Sequence, residues 1–529
     1  MHPNVMSYIV FSGDRCAMRF EQYLTGKILD PIHGIIRLTE LELAFIDHPL
    51  FQRLRNIKQN TFLYKVFPSA MHSRFEHSLG VMHLSYEILT NMGVNAHRYE
   101  NKYNDDLIYT GLTELPINFV KELRLAALLH DIGHGPMSHQ FDSFMFSKDD
   151  FQEYFGNDFP EILELIKDGN NVEHEHISLL FIKAIYSSLD DKHKADINID
   201  NVLAIIEKDY KSNNVCLDIE VEQGNLNILP LLTSIISSCP IDADRMDYLL
   251  RDSYFSGVKC GIYDHNRLFM SMVPVQCDGA VHLAYKESGL DSIVEFINAR
   301  ANLFGQVYYH KTNRSFSSML SKVCSLAKKV NADVDLFEFT LPSDAEKKSY
   351  LEQIQDFYEN NSDDHFLNEQ LAVAIEGNIA AEEVNNDIIH RKPWEKVYES
   401  KLYPENLNIT DVINKDTVKL LTLTIDEMIT SQGIDRSKFT IDVMTDNAFK
   451  DISKTEIKLL EKQLDGKYSV TAFKDSNKKL SRYQSIKCFI RIFAHNSISD
   501  SFGMELVRRI DQYKAEFLHE HKLVKSKSD

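Results

Sequence analysis

The sequence predicts a mainly α protein: a helical-bundle core followed by a smaller α+β lobe. Three observations point to it. Residues 123–129 (Leu-Arg-Leu-Ala-Ala-Leu-Leu) are apolar nearly all round, as a helix buried in a core is, and they run directly into His130 and Asp131. Apolar residues recur at helical spacing at Val81, Leu84, Ile88, Leu89 and Met92, and again at Ile293, Phe296, Ile297, Leu303 and Phe304. Beyond about residue 435 the pattern turns to short β-branched and aromatic runs at 438–444, 468–473 and 488–494. These changes divide the chain into a lead-in over 1–25, a core over 26–330, a helical acidic extension over 331–434 and an α+β lobe over 435–529. The last region closes on an amphipathic helix over 504–517 and a Lys/Ser tail expected to be disordered.

Within the core, 27–34 reads as a turn-rich lead punctuated by Pro and Gly. Thr39 followed by Glu42 is a capping box that opens a helix through Leu41, Leu43, Phe45 and Ile46. The spacing of Phe51, Leu54 and Ile57 predicts a helix over 51–59 with a basic face, ordinarily solvated, whose Arg and Lys density also allows phosphate contact. Residues 97–118 are polar and Asn/Asp-rich, a connection between helices, and 141–155 are aromatic-rich and helical. Another helix opens at 173–178, where the spacing His174-x-His176 puts the two rings on different faces, so at most one enters a site; His176 is assigned to the surface. Residues 190–230 are variable and acidic, and 290–316 read as one long helix.

Composition bounds the function. The 529 residues, 43% of them hydrophobic, can bury a large core. A formal net charge of −20 argues against a broad duplex-binding surface, while a local basic pocket for phosphates is compatible with it. Seven scattered cysteines with no CxxC pair fit a reducing cytosol, no apolar run reaches the length of a membrane span, and the first twenty residues lack a signal-peptide core. A cytoplasmic protein is expected.

The chemistry concentrates at residues 130–139, where His130, Asp131, His134 and His139 fall within ten residues. A His-Asp pair at the end of an apolar helix is costly to bury unless it binds something. A second stretch, 241–252, puts Asp244, Tyr248 and Asp252 at i, i+4 and i+8, one polar stripe of a helix. With His77 from the helix near 81–92, the candidate ligands His77, His130, Asp131 and Asp244 come from three helices, which suits a site in a bundle core. Mixed imidazole and carboxylate donors suit Fe, Mn or Zn, and such a site activates water for attack on phosphorus.

This H…HD…D set is the signature of the HD phosphohydrolase superfamily. The ordered motifs Asp30-Pro31-Ile32-His33-Gly34, Phe51-Gln52-Arg53-Leu54-Arg55, Arg74-Phe75-Glu76-His77-Ser78-Leu79-Gly80, His130-Asp131-Ile132-Gly133-His134-Gly135-Pro136 with Ser138-His139, and Asp244-Arg245-Met246-Asp247-Tyr248 closely resemble those of the HD-domain deoxynucleoside triphosphate triphosphohydrolases, over about residues 27–316. The resemblance implies an HD helical bundle in which His77, His130, Asp131 and Asp244 hold the metal, with Mg accompanying the nucleotide phosphates. It implies that His134 contacts the α-phosphate, that His139, oriented by Asp142, protonates the leaving 5′ oxygen, and that His174 assists. Arg74, Arg245, Arg300 and Lys311 would bind phosphates, Tyr248 and Asp252 the sugar 3′-hydroxyl, and Gln59 and Tyr308 would pack against the sugar. Asp47, Gln52 and Arg55 match the family's regulatory nucleotide set. The implied reaction turns a dNTP and water into a deoxynucleoside and triphosphate, in a homo-oligomer (dimer or tetramer), serving dNTP-pool control or antiviral defence. The chain departs from the family pattern at Leu29, Asn60, Thr61-Phe62 and Arg245. The alternative reading is an HD phosphodiesterase acting on cyclic, oligomeric or alarmone nucleotides; the Gly-Tyr-Pro element of the cyclic-dinucleotide hydrolases is lacking.

Overall fold

The computed structural model describes residues 19–103, 107–156, 158–221, 224–237, 240–330, 349–402, 415–446, 457–473 and 487–525. Most of the lead-in and the end of the Lys/Ser tail lie outside them. The fold is mainly α, as the sequence predicts, and the described residues also form a two-stranded, a three-stranded and a six-stranded sheet.

The turn-rich lead is a hairpin of β1 (Gly26–Asp30) and β2 (Gly34–Leu38), and the Asp30 carboxylate tightens its turn by accepting from the Ile32 and His33 amides. The Thr39 capping box is present and opens α1 (Glu40–Ile46). The expected helix over 51–59 is instead a short helix, Pro49–Gln52, running into a 3-10 turn, Arg53–Asn56. Its basic face is not all solvated. Arg53 is buried, donates 2.5 Å to the Ile132 carbonyl and stacks 4.7 Å from the Tyr358 ring. Helix α2 (Arg74–Tyr103) starts at the His77 motif and runs through part of the stretch read as a connection.

Helix α3 (Ile117–Leu129) is buried from Phe119 to Leu129. Its two charged residues deepest in the core are paired: Glu122 accepts from the Asn198 amide and Asn201, and Arg124 donates to Glu42 and the Arg37 carbonyl. Helices α4 (His174–Ser188), α5 (Ile199–Ile206), α6 (Leu229–Ile236) and α7 (Ala243–Ser256) complete the bundle around α2 and α3.

Two findings correct the sequence reading here. Strands occur well before residue 435: β3 (Asp218–Val221) and β4 (Gly224–Asn227), then β5 (Met272–Cys277) and β6 (Ala280–Lys286), form antiparallel hairpins. The expected single helix over 290–316 is broken. Helix α8 (Leu290–Leu303) ends in a π-turn, Phe304–Tyr308, before α9 (Lys311–Val330) begins.

The extension contributes α10 (Tyr350–Asn360) and α11 (Ile379–Ile389), and its residues Tyr350, Tyr358, Phe366, Leu371 and Trp394 join the same buried core as the bundle. The extension is not wholly helical, because β7 (Glu395–Leu402) is the edge of a three-stranded sheet ordered β7-β11-β8, with β8 (Phe439–Asp446) and β11 (Lys487–Ala494). That sheet packs with α12 (Lys415–Thr430) and α13 (Met504–Lys525) around a second core of Ile425, Ile429, Ile490, Ile492 and Ile510. The hairpin of β9 (Lys458–Lys462) and β10 (Tyr468–Ala472) belongs elsewhere: β9 pairs in parallel with β6 of the bundle. Among the described residues no helix is long and apolar enough to cross a membrane.

Candidate active site

Three helix segments bring the central residues together. His77 lies in the first turn of α2, His130 caps the end of α3 with Asp131 directly after it, and Asp244 lies in the first turn of α7. His77 Nε2 stands 3.1 Å from Asp244 Oδ1 and 3.7 Å from Asp131 Oδ2. His130 Nε2 is 3.5 Å from Asp131 Oδ1 and 3.9 Å from Asp244 Oδ1.

The tautomers are set from behind. His130 Nδ1 donates to the Ala127 carbonyl at 2.8 Å, and His77 Nδ1 donates to Asp247 Oδ2 at 2.8 Å. With each ring neutral, both Nε2 atoms are therefore lone pairs facing the Asp131 and Asp244 carboxylates, and both are buried without a hydrogen-bond partner. Orphaned buried acceptors facing two carboxylates are a poor arrangement for an empty core and a suitable one for a cation. His77, His130 and Asp244 can indeed offer ligand atoms to one metal ion, and these donors fit a divalent first-row metal. The same surplus of negative charge acts on protons. Burial alone would lower the His77 pKa, yet Asp244 and Asp247 lift it to about 10.

Asp247 was not singled out in the sequence, and it is the anchor of the site. This fully buried carboxylate accepts from His77, from His33 Nε2 at 2.7 Å, and from Arg251 Nε and Nη2 at 2.8 and 2.9 Å; Arg251 Nη1 reaches back to Asp30 at 2.8 Å. Burial would raise its pKa, and Arg251, His33 and His77 hold it well below the usual carboxylate range. The close fit needs Gly80, where a Cβ would lie 1.9 Å from Asp247 Oδ1. Its position three residues after Asp244 on the same helix was the available signal.

A second group of side chains adjoins the first through Asp131. Its Oδ1 is 3.3 Å from His134 Nε2, and Arg74 pairs with its other oxygen. Burial would raise the Asp131 pKa, and His130, Arg74 and His134 hold it well below the usual range. The His134 and His174 rings stack with centroids 3.7 Å apart, and His139 meets both edge-on at 4.7 and 4.9 Å. Burial pushes His134 well down toward the neutral imidazole. Burial also opposes charge on His174, but the Asp142 hydrogen bond raises its pKa. Asp142 differs from expectation: its Oδ2 lies 2.9 Å from His174 Nδ1 and 3.8 Å from His139 Nδ1. It orients His174 directly, while the His139 side chain is 72% exposed. His176, assigned to the surface, accepts from the Glu173 amide as part of the cap of α4 and does not enter this cluster.

The two groups open into a cavity of about 550 Å³, also lined by Gln59, Asn60, Arg74, Tyr248, Asp252, Phe304 and Tyr308. Its far wall is organised by Asp252, which pairs with His72 Nε2 at 2.6 Å, accepts from Asn60 Nδ2 at 3.0 Å and accepts from the Tyr308 hydroxyl. His72, stacked on Phe255 at 4.8 Å, is another residue the sequence reading missed.

Three residues assigned to phosphates stand outside that lining. Arg245 is drawn to its own helix cap, pairing with the buried Asp242 and donating 3.3 Å to the Ser237 carbonyl. Arg300 donates 3.2 Å to the Tyr248 hydroxyl and lies over Phe304. Lys311 is exposed at the start of α9. Asp47, Gln52 and Arg55 sit together away from the cavity: Gln52 donates to the Ile46 carbonyl, Arg55 donates to Gln52 and covers the Phe75 ring at 3.5 Å, and Asp47 is exposed at the end of α1.

The family model described as HD domain matches residues 74–252. Those residues form an HD domain. All four candidate metal ligands and the three clustered histidines lie inside it. The chain is 32% identical over 295 residues to an uncharacterised protein of Methanocaldococcus jannaschii, covering 56% of this chain and 48% of that one. It is 28% identical over 302 residues to the deoxynucleoside triphosphate triphosphohydrolase SAMHD1 homolog of Dictyostelium discoideum, covering 56% of this chain and 48% of the relative. It is 26% identical over 305 residues to the deoxynucleoside triphosphate triphosphohydrolase SAMHD1 of Gallus gallus, at 55% and 44% coverage. The chain thus spans about half the length of these curated relatives. A crystal structure of a hypothetical protein from Aquifex aeolicus shares the fold, with a TM-score of 0.57, 22% identity, and 90% of this chain and 98% of that one covered.

Proposed function

We propose that this HD domain makes the chain a metal-dependent phosphohydrolase, and that its substrate is a deoxynucleoside triphosphate cleaved to deoxynucleoside and inorganic triphosphate. The observation that carries the reading is the single cavity onto which the cation-binding group, the histidine cluster and the Asp252 wall all open. Similarity to relatives named as dNTP triphosphohydrolases supports the substrate class.

A divalent cation on His77, His130, Asp131 and Asp244 (Fe, Mn or Zn) would supply Lewis acidity to the α-phosphate and to an attacking water. The chain's own groups do the rest. Neutral His134 offers a hydrogen bond to an α-phosphate oxygen. Burial opposes charge on His174, but its hydrogen bond to Asp142 raises its pKa, which favours positive charge beside that oxygen. Water adds to the α-phosphorus, the bond from phosphorus to the 5′ oxygen breaks, and His139 delivers the proton to that oxygen. Arg74, already fixed on Asp131 and Ser138, faces the phosphates. Arg300 and Lys311 would join after side-chain movement, and Arg245 acts through the Asp242 cap. Glu175 and Glu207 on the rim repel a bare triphosphate, which favours the Mg complex as the bound form. At the other end Asp252 and Tyr248 take the 3′-hydroxyl, with Gln59 and Tyr308 against the sugar. Asp47, Gln52 and Arg55 form the proposed activator nucleotide site, and a homo-oligomer is the proposed assembly.

Chromatographic product analysis with each dNTP singly and with all four mixed, in Mg²⁺, Mn²⁺ or Fe²⁺, tests this. Deoxynucleoside plus triphosphate is expected, with stronger turnover in the mixture. Monoester products from cyclic or oligomeric nucleotides, with none from any dNTP, would replace the reading with the phosphodiesterase one.

A further inference from the structure

Asp363 belongs to the extension, outside the HD domain, yet its carboxylate is among the most buried in the molecule at 2% exposure. Its two oxygens serve two different loops. Oδ1 accepts from the Met137 amide at 2.7 Å and Oδ2 from the Lys58 amide at 2.8 Å. Lys58 leads into Gln59 and Asn60 on one wall of the cavity, and Met137 lies between His134 and His139 on the other. Met137 and Ser138 are both held at positive φ, 66° and 54°, a conformation that L-residues keep only when their surroundings impose it. Further bonds tie the same two loops: Thr61 Oγ1 donates to the Met137 carbonyl at 3.0 Å, and Ser138 Oγ donates to the Lys58 carbonyl at 3.1 Å. From Ser138 the connection reaches the cation-binding group, since Arg74 Nε donates to Ser138 Oγ at 3.0 Å and Arg74 pairs with Asp131.

We propose that Asp363 is a positioning residue: by holding the Lys58 and Met137 amides on one carboxylate, it sets the spacing between the sugar-side wall and the histidine cluster. A carboxylate suits the task because it accepts on both oxygens at once, whereas a carboxamide accepts on one and presents an N–H to the other amide. The extension is therefore part of the candidate active site through this side chain's bonds to the Lys58 and Met137 amides, without touching the substrate.

The test is Asp363→Asn in the full chain, with Leu371→Ala as control; Leu371 is buried in the same extension and makes none of these bonds. Hydrogen–deuterium exchange at the Lys58 and Met137 amides is expected to rise in Asp363→Asn. Since an ångström of misplacement can cost about 100-fold, kcat is expected to fall about 10- to 100-fold. KM should stay within about threefold and metal content should not change. Leu371→Ala is expected to lower Tm and leave kcat near wild type. Asp363→Ser, smaller and without the amide N–H, is read in the same way if the Asn variant does not fold. Unchanged exchange at both amides, a kcat within about threefold of wild type, or an equal kcat loss in Leu371→Ala would overturn the proposal. The kcat arm rests on the dNTP reading above. A wild-type chain inactive on every dNTP defeats that reading, while the exchange arm still decides Asp363.

Discussion

Asp247 shows how much of this site rests on a residue that would touch neither metal nor substrate. It fixes the His77 tautomer and is itself fixed by Arg251 and His33. Asp247→Asn is expected to weaken metal binding about 10- to 100-fold, as loss of an outer hydrogen-bond partner does, measured by competition with a chelator. It should also cost about 3–5 kcal/mol in denaturant unfolding, because Arg251 is left buried with one partner fewer. His77→Ala removes one of the proposed ligands, and metal analysis should find the site depleted. Asp142 carries a pH signature. Burial would raise its pKa, but the two facing imidazoles, His139 at 3.8 Å and His174 hydrogen-bonded at 2.9 Å, bring it from 3.8 to about 2. A carboxylate depressed in the folded state contributes stability that is fully present above pH 4 and is lost as the pH falls through 2. The contribution is of order 2 kcal/mol. Acid unfolding of Asp142→Asn should lack that slope between pH 4 and 2; an identical slope would mean that the His174 contact contributes nothing.

At the scale of elements, close approaches position the chemistry. The turn after α3 can meet the start of α4 only because residue 133 is glycine: a Cβ there would lie 2.1 Å from the His174 carbonyl and 2.3 Å from the Ser178 amide. Ser178 closes the contact, accepting from the Gly133 amide and donating to the His130 carbonyl, both at 2.9 Å. Gly133→Ala must push α4 away and carry His174 with it. A loss of about 1–3 kcal/mol is expected in thermal unfolding, with a fall in kcat larger than the fall in metal content. The helices that carry the candidate ligands were legible because their apolar spacing and capping signals are local. The 290–316 stretch was misread because periodicity does not register the π-turn at Phe304–Tyr308, which swings Tyr308 onto Asp252. The early strands were missed because β3–β4 and β5–β6 are short hairpins that gain their stability from pairing across the sheet rather than from their own composition.

For the whole molecule, one large core runs from the bundle into the extension. Tyr358 marks the joint: its ring lies 4.7 Å from the Arg53 guanidinium and meets Phe181 and Phe141 edge-on at 5.0 and 6.0 Å. Tyr358→Ala is expected to cost about 3–5 kcal/mol and to lower the melting of the HD domain and extension together, seen as one shifted calorimetric transition. A separate early transition would mean that the extension unfolds alone. The sequence by itself determined which residues could carry the chemistry and which helices hold them, since His77, the His130–Asp131 pair and the Asp244, Tyr248, Asp252 stripe are written in residue type and local spacing. Only the tertiary structure decided which of those groups meet. It drew Arg245 onto its cap, gave Asp142 to His174, buried Asp247 behind His77, and brought Asp363 from more than two hundred residues away under the histidine loop. The long-range pairings among these depend on which groups are buried side by side, and spacing along the chain carries no record of that.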